Sequence, residues 1–281
     1  MHNNKTTLTI YQKIYKKIKN FYAFIFGYNF FRPLNSFLVS IGQQGLGLDN
    51  NPDYIQGTFI LIRKLSKKID LSSNLFIDVG ANVGRVTKLV LENTNNLNVI
   101  SYEPHKETYK KLSENLKNEK RCKIFQYAVG SKVEDKILFD WKKEGTGFAS
   151  FYKDSIQQTL SPTYGKVSLG YEESVKVITL DSINFEKKIE FIKIDVEGNE
   201  FEVLKGARDL IKNHQPKYIL IEFNESNVYS RVFLKDFINL LHNYSVYRVM
   251  PGGRMLELNN PYNSETHEIF ATQNIIFIKN N

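Results

Sequence analysis

Cysteine and tryptophan are nearly missing from this chain of 281 residues, which contains one of each. A single cysteine, Cys122, cannot form a disulfide within the chain and argues against a cysteine-based zinc site. Such sparing use of cysteine fits a reducing compartment, so we expect a cytoplasmic protein. Internal repeats, low-complexity tracts and clear linkers are also absent, and the length suits one large domain or one domain with an extension.

Long apolar runs are missing as well. The aromatic stretch FYAFIFGYNFF (21–31) follows several lysines, as the apolar region of a signal peptide would. Asn20 and Asn29 bracket the stretch, Arg32 and Pro33 end it, and no small-residue cleavage site follows. It is also too short to cross a bilayer. We expect a helix that packs on the body of the protein or on a second subunit, more readily than one lying on a membrane surface.

Positive charge is in excess, with a formal net charge of +8. A basic balance favours anionic partners such as nucleic acid, phosphorylated sugars or a membrane surface. Lysine, asparagine and isoleucine are abundant throughout the chain, however. A basic composition with a solvated surface therefore explains the excess more simply than a specific basic patch does.

Two regions of different organisation follow one another along the chain. Apolar residues at three- and four-residue steps predict helix over most of 8–40, a loop covers 42–53, and a second helix covers 54–68. We assign residues 1–70 to an N-terminal helical extension that contacts substrate or builds a dimer. From there to residue 281, short apolar runs alternate with helical patterns, which is typical of a parallel sheet with helices on both faces.

An insertion interrupts this alternation at 131–181. Its segments KILFDW, ASFYK and VKVITLD read as short antiparallel strands, and the glycine-rich stretch EGTGF reads as a turn. Insertions at the carboxyl edge of such a sheet commonly shape substrate pockets. Afterwards a strand, a helix over NEFEVLKGARDLIKNH, another strand, a helix at 230–243 and a final antiparallel pair are predicted.

The turn FIDVGANVG (76–84) has the form of a cofactor-binding loop after the first strand. Gly80 lets the backbone approach a ligand, Asn82 tolerates left-handed dihedral angles, and Gly84 allows the next helix to pack closely on the strand. Asp78 would repel a pyrophosphate but suits a cationic group. The turn also lacks the pattern G-x-G-x-x-G, so a dinucleotide and a dehydrogenase are disfavoured. S-adenosylmethionine, with its ammonium and sulfonium groups, suits it.

A second carboxylate supports a nucleoside-containing cofactor. Glu103 ends the second predicted strand in VISYEP, about 20 residues after the turn. An acid at that place accepts hydrogen bonds from both ribose hydroxyls. Nicotinamide dinucleotides and S-adenosylmethionine both contain such a ribose, so Glu103 supports the class without choosing between them.

The order and spacing of these motifs resemble the FkbM family of S-adenosylmethionine-dependent methyltransferases. The resemblance runs from about Leu75 to Glu225, roughly half of the chain. The stretches that carry it are FIDVGANVG, YEPHKETYKKLSENL, FQYAVGS, VITLDSI, IEFIKIDVEGNEFEVLKGA and ILIEFNE. It implies a Rossmann-like class I methyltransferase fold, with a mostly parallel seven-stranded sheet.

The resemblance also implies methyl transfer to a hydroxyl oxygen, with S-adenosylhomocysteine as product and sugars or natural-product scaffolds as acceptors. It adds Ala81, Pro104 and Ala128 to the expected cofactor site. His105 and Thr108 depart from the Pro and Asn that family members often have. The adenosine side of the site is therefore less well defined, and His105 is a candidate contact for adenine.

The turn after the fourth predicted strand, DVEG, brings acids to the expected position of the methyl group. Transfer to oxygen needs an aligned acceptor and help in removing the hydroxyl proton, so Asp195 and Glu197 are candidate general bases. Asp195, Glu222 and Asn224 could instead hold a divalent metal such as Mg²⁺. Alternatively, Glu197 caps the next helix, and Lys193 pairs with one of the acids.

Two other functions compete with sugar O-methylation. A base-modifying nucleic-acid methyltransferase usually has an Asn/Asp-Pro-Pro-aromatic turn where DVEG stands here, and a dense basic stripe is missing from the core. A ribose 2′-hydroxyl of RNA escapes this argument. A non-catalytic binding protein on the same scaffold would be expected to lack the acids named above. We therefore expect an O-methyltransferase of sugars or glycans, forming a homo-oligomer, with no nucleic-acid partner.

Overall fold

The computed structural model describes residues 10–48, 52–70, 74–157, 169–258 and 262–280, and the side chains of these apart from 52–55. The chain divides into two compact units, Met1–Leu46 and Gly47–Asn281, called here the N-terminal unit and the α/β unit. The division comes earlier than the expected domain boundary at residue 70. The helix predicted over 54–68 belongs to the α/β unit.

The N-terminal unit is a pair of helices, α1 (Ile10–Phe26) and α2 (Arg32–Gly45). Pro33 lies in the first turn of α2, where its missing N–H has no intrahelical partner to lose. It therefore begins a helix as well as ending the aromatic stretch. Asn35 of α2 connects the two helices, because its side chain accepts a hydrogen bond from the Tyr22 hydroxyl at 2.6 Å and donates one to the Phe26 carbonyl at 2.8 Å.

The α/β unit contains an eight-stranded sheet and a smaller three-stranded sheet. Among the helices of this unit are α3 (Pro52–Ile69), α4 (Arg85–Asn93), α5 (Lys106–Leu116), α6 (Glu200–Lys205), α7 (Arg208–His214), α8 (Ser226–Ser230), α9 (Leu234–Leu240) and α10 (Ser264–His267). Its strands are β1 (Leu75–Val79), β2 (Asn98–Tyr102), β3 (Cys122–Phe125), β4 (Ala128–Val129), β5 (Glu134–Asp140), β6 (Tyr171–Ile178), β7 (Ile189–Ile194), β8 (Tyr218–Phe223), β9 (Tyr244–Met250), β10 (Arg254–Glu257) and β11 (Gln273–Lys279).

The large sheet has the order β10-β9-β11-β8-β7-β1-β2-β3. Strands β3, β2, β1, β7 and β8 are parallel, whereas β11, β9 and β10 join antiparallel. The α/β class and the mostly parallel sheet are confirmed. The strand count differs from seven because β10 folds back on β9 and adds an edge strand.

Two apolar clusters cover the opposite faces of this sheet. Helices α3, α4 and α5 contribute to one cluster, whose fully buried members include Ile62, Val90 and Leu112. The other contains Leu204 and Phe237 from α6 and α9. This is the arrangement that alternating strands and helices predict. Among the residues that the structure describes, no helix is both long and apolar enough to cross a membrane.

The inserted region forms the small sheet, in the order β4-β6-β5. The apolar run CKIFQYAVG (122–130), which by its pattern alone is a single strand, is divided between the two sheets as β3 and β4. The segment ASFYK makes only one bridge, between Ser150 and Phe139. The Ser150 hydroxyl then donates to the Glu197 carbonyl at 2.7 Å and accepts from the Tyr152 N–H at 3.1 Å, so the chain leaves the strand pairing.

The helix predicted over NEFEVLKGARDLIKNH is broken into α6 and α7 at Gly206. A Cβ atom there would lie 2.0 Å from the carbonyl oxygen of Gly130, which directly follows β4 of the small sheet. Only glycine permits this approach, and the helix ends where the two segments meet.

Candidate active site

The turn between β1 and α4 lies at the carboxyl edge of the large sheet. The N–H groups of Gly80 and Ala81 both donate to the Tyr102 carbonyl at 3.0 Å, which fixes the turn against β2. Gly80 has a φ of +75°, and a Cβ atom there would lie 1.8 Å from the Asp195 carbonyl oxygen. Asn82 has a φ of +50°, as its tolerance of the left-handed region predicted.

Gly84 begins α4, as expected, with a φ of +88°. Its packing partner is different from the predicted one, because a Cβ atom there would meet Leu112 of α5 at 2.8 Å. Ala81 is buried in the apolar cluster on the same face of the sheet. Gly84 and Ala81 therefore pack against apolar side chains behind the turn, and they do not line the cleft described below.

Asp78 is buried in the sheet and faces protein groups. The parallel register puts it beside Lys193 of β7 and Ser101 of β2. Its carboxylate accepts from the Thr87 hydroxyl at 2.7 Å and lies 3.3 Å from the Lys193 ammonium. Burial raises its pKa, while Lys193 and Thr87 oppose the change. The expected direct contact with a ligand's ammonium group does not fit this geometry, since Lys193 already fills that role.

Lys193 of β7 connects this strand to β1 and to the turn that follows β1. Its ammonium donates to the Gly80 carbonyl at 2.9 Å and pairs with Asp195 at 3.1 Å as well as with Asp78. Burial alone would lower the pKa of this lysine, but the two carboxylates raise it. The predicted ion pair is therefore present, and it holds the glycine turn and the DVEG turn together.

Glu103 lies at the end of β2 with its carboxylate aligned by backbone groups. One oxygen accepts from the Asn82 N–H and the other from the His105 N–H, each at 2.9 Å. Burial raises the pKa of Glu103 to about 7. Each oxygen keeps a lone pair for a ligand hydroxyl, which is the geometry that the ribose assignment requires.

A cleft with about 670 Å³ of empty space, part of it open to solvent, joins these features. Gly80, Asn82, Glu103 and Asp195 all line it. Pro104, Ala128 and Glu197, which were also predicted for the site, line it too. The cleft lies at the edge of the sheet where open α/β folds bind their ligands.

Two buried polar atoms at the cleft point to a ligand. Among the described residues, Nε2 of His105 and Oδ1 of Asn199 have no hydrogen-bond partner. Both residues line the cleft and are at most 2% exposed. Buried polar atoms are normally satisfied, so a nucleoside-containing ligand with several donors and acceptors fits this cleft. Asn199 is not among the site residues that the sequence predicts.

The small sheet covers one side of the cleft through the loop around EGTG. Asp140, at the end of β5, is fully buried and accepts from the Thr146 N–H at 3.0 Å and the Thr146 hydroxyl at 2.6 Å. It also lies 3.8 Å from Nε2 of His105. The backbone at Gly147 approaches the Asn82 side chain so closely that a Cβ atom would be 2.8 Å from it. The insertion therefore forms part of the wall, as predicted.

Three acids converge beyond the cofactor turn. Asp195 and Glu197 follow β7, Glu222 is on β8, and one carboxylate oxygen of each lies within 4.8 Å of the others. The side chain of Asp195 is 37% exposed. Burial and the nearby Asp195 carboxylate raise the pKa of both Glu197 and Glu222 well above the usual range.

Asn224 holds two of these acids as a hydrogen-bond donor. Its amide nitrogen donates to Glu222 at 2.8 Å and to Glu197 at 3.3 Å, while its oxygen accepts from the Ser226 N–H at 2.8 Å. The oxygen therefore faces away from the acids, which corrects the expectation that Asn224 would ligate a metal. The carboxylates that can share a divalent cation are those of Asp195, Glu197 and Glu222.

The DVEG turn is held by an acid that the sequence reasoning did not single out. One oxygen of Glu200 accepts from the N–H groups of Val196 and Gly198 at 3.0 and 3.1 Å. Glu200 is 1% exposed, and burial raises its pKa to about 7. Glu197 is thus free of the capping role considered for it. It has a φ of +53°, an uncommon conformation for a residue other than glycine.

Several solved methyltransferase structures are distantly similar to this chain. The N-methyltransferase NodS from Bradyrhizobium japonicum WM9 shares 7% identity over 83% of this chain and 100% of its own, with a TM-score of 0.43. An rRNA methylase from Streptococcus thermophilus shares 9% over 83% and 98%, with a TM-score of 0.41. A precorrin-6y C5,15-methyltransferase from Geobacter metallireducens GS-15 shares 12% over 78% and 87%, at 0.39. Scores this low carry no argument about acceptor.

No curated protein matches the chain. The methyltransferase FkbM domain, in contrast, matches residues 78–249, which is more than half of the 281 residues. The matched region begins at the cofactor turn and includes Glu103, the small sheet and the acids after β7 and β8. The resemblance found in the motifs is confirmed, and the chain belongs to the FkbM methyltransferase family.

Proposed function

We propose that this methyltransferase transfers a methyl group from S-adenosylmethionine to a hydroxyl of a sugar, either nucleotide-linked or within a glycan. The observation that carries the proposal is the convergence of Asp195, Glu197 and Glu222 next to the Gly80 turn. When bound, S-adenosylmethionine supplies a methyl group on a sulfonium sulfur. An acceptor hydroxyl must approach it in line and lose a proton.

Glu197 is the proposed general base. It lines the cleft, and its raised pKa makes it a better proton acceptor than an ordinary carboxylate when it is ionised. Asp195, paired with Lys193 at 3.1 Å, is proposed to position the acceptor hydroxyl and to favour the transient positive charge nearby. Glu222 and Asn224 orient Glu197 from behind.

A sugar acceptor is supported by the groups around these acids. Carboxylates and amides of the kind gathered here bond the several hydroxyls of a sugar ring. Phe151 of the insertion lines the same cleft and offers an aromatic face. The FkbM family resemblance, in which sugars are common acceptors, points in the same direction.

The proposal is tested by mass spectrometry of methyl transfer. The full chain and S-adenosylmethionine are incubated with nucleotide-linked hexoses, deoxysugars and heptoses, with extracted glycans, and with an RNA, each with and without EDTA. A one-methyl mass gain on a sugar is expected. A gain on the RNA alone would overturn the sugar assignment. Loss of activity in EDTA, restored by Mg²⁺, would show that the three acids hold a metal.

The substitution Glu197→Gln tests the proposed general base independently of cofactor binding. We expect kcat to fall by about 10²–10⁴-fold because the proton acceptor is lost, while the affinity for S-adenosylhomocysteine changes little. The matched control is Glu202→Gln, which changes a more exposed acid on α6. An unchanged kcat in the Glu197 variant would contradict its role as base, whatever the acceptor.

A further inference from the structure

The N-terminal unit differs from the rest of the chain in charge. Residues 1–48 contain no Asp or Glu, although the whole chain has 30 acids. The same segment contains six basic side chains: Lys5, Lys13, Lys16, Lys17, Lys19 and Arg32. Its positive charge therefore has no compensating acid within the unit.

Helix α1 separates this charge from an apolar face. At about 100° per residue, five large side chains fall within an arc of roughly 80°. These are Ile10, Ile14, Ile18, Phe21 and Ile25. Lys16 and Lys19 lie on the opposite side, Lys17 lies at one edge of the apolar region, and Lys13 lies between Lys17 and Lys16. Tyr11, Tyr15 and Tyr22 follow one margin of the apolar face.

This apolar face is exposed. Ile10 is 77% exposed, Ile18 62% and Phe21 68%, and none of the described residues of α1 or α2 is buried. On α2, Phe37 and Val39 are similarly open, at 61% and 58%. Exposed apolar surfaces of this extent mark interaction sites.

We propose that the N-terminal unit docks on the surface of an anionic phospholipid bilayer. The isoleucines and Phe21 of α1 enter the boundary between headgroups and acyl chains, and Lys17 and Lys13, on one flank of that face, reach the lipid phosphates. The tyrosines at the margin suit the interface, where amphipathic rings collect. This function is separate from the transfer chemistry and needs no particular acceptor.

The charge distribution selects the bilayer over a second copy of the chain. Pairing two copies through the apolar face of α1 would bring the basic side chains at its edge together, and the N-terminal unit of neither copy supplies an acid to compensate them. An anionic bilayer offers both an apolar phase and the missing negative charge. Each lysine near such a surface strengthens binding by about fivefold.

The test is flotation of the full chain with vesicles of phosphatidylcholine alone or mixed with phosphatidylglycerol. We expect flotation only with phosphatidylglycerol, weakened by salt. Replacing Lys13, Lys16 and Lys17 by Gln should weaken binding by roughly a hundredfold. The matched control replaces Lys64, Lys67 and Lys68, exposed on α3 of the α/β unit, and should bind as the unaltered chain does.

A second variant tests the apolar face. Ile14→Asn with Phe21→Asn should abolish flotation, while the affinity for S-adenosylhomocysteine remains unchanged in every variant because none of these residues lines the cleft. Absence of flotation by the unaltered chain would overturn the proposal. So would equal loss in the Lys64/Lys67/Lys68 control. A dimer by light scattering that Ile14→Asn with Phe21→Asn converts to a monomer, without vesicle binding, would make the face a contact between copies.

Discussion

Glu103 is a buried acid whose carboxylate is already fixed by two backbone N–H groups. Replacing it by Gln would turn an amide N–H₂ toward one of those donors and remove a lone pair from the ribose position. We expect the affinity for S-adenosylhomocysteine, measured by calorimetry, to fall by about ten- to a hundredfold. Glu107→Gln, on the first turn of α5, is the matched control and should leave the affinity unchanged.

The same residue predicts a pH dependence. Because the pKa of Glu103 is raised to about 7 in the folded chain, the carboxylate is progressively protonated below pH 7 and accepts fewer hydrogen bonds. Cofactor affinity should therefore decrease as the pH is lowered below about 7, and the Gln variant should lose this pH dependence. For stability the sign is opposite. The folded state binds this proton more tightly than the unfolded chain, in which the pKa is expected to be about 4.5. The stabilising contribution of Glu103 to the free energy of unfolding is therefore fully present below about pH 4.5 and is lost as the pH rises through about 7.

Lys193 is expected to matter for stability as well as for the site. Lys193→Met would leave Asp78 buried without its cation, which should lower the free energy of unfolding by about 3–5 kcal/mol in a urea titration. Adding Asp78→Asn should recover part of the loss, because the stranded charge is removed. Lys88→Met, at an exposed lysine of α4, should change little. Equal effects of the Lys193 and Lys88 substitutions would contradict a structural role for the buried pair.

At the scale of elements, the β1–α4 turn depends on the close approach of two backbones. Gly80→Ala would put a Cβ atom 1.8 Å from the Asp195 carbonyl oxygen, at a φ of +75°. We expect a loss of about 2–4 kcal/mol in the free energy of unfolding, together with loss of cofactor binding. Gly42→Ala, inside α2 with no atom within 4 Å of the new Cβ, is the matched control and should be neutral or stabilising.

The elements also show where sequence patterns are sufficient. Periodicity predicted α4, α5 and the parallel strands because each has one apolar face and lies between clear turn residues. It did not predict the division of CKIFQYAVG between two sheets, since an apolar run does not specify its pairing partner. The break at Gly206 was missed for a similar reason. It depends on the close approach of Gly130, which is distant in sequence.

At the scale of the whole molecule, the motifs predicted which residues would gather at the cleft but not how each would be oriented. Gly80, Asn82, Glu103, Asp195 and Glu197 meet there because the carboxyl ends of parallel strands share one edge. The register that pairs Asp78 with Lys193 arises from strand alignment, and the Ser226 N–H turns the oxygen of Asn224 away in the turn after β8. Asp78 and Asn224, which were predicted to bind a ligand or a metal directly, therefore support the site through contacts with other protein groups.

The two units should also differ in local stability. In the α/β unit, β1, β7 and β8 are wholly or almost wholly buried, so their amides should exchange with deuterium only on global unfolding. Among its described residues, α1 has no buried side chain, and its amides should exchange by local opening, orders of magnitude faster. Mass-spectrometric exchange of the full chain in buffer checks this difference. Adding phosphatidylglycerol vesicles should slow α1 while leaving β7 unaltered, whereas protection of α1 equal to that of β7 in buffer alone would show that its apolar face is already covered in solution.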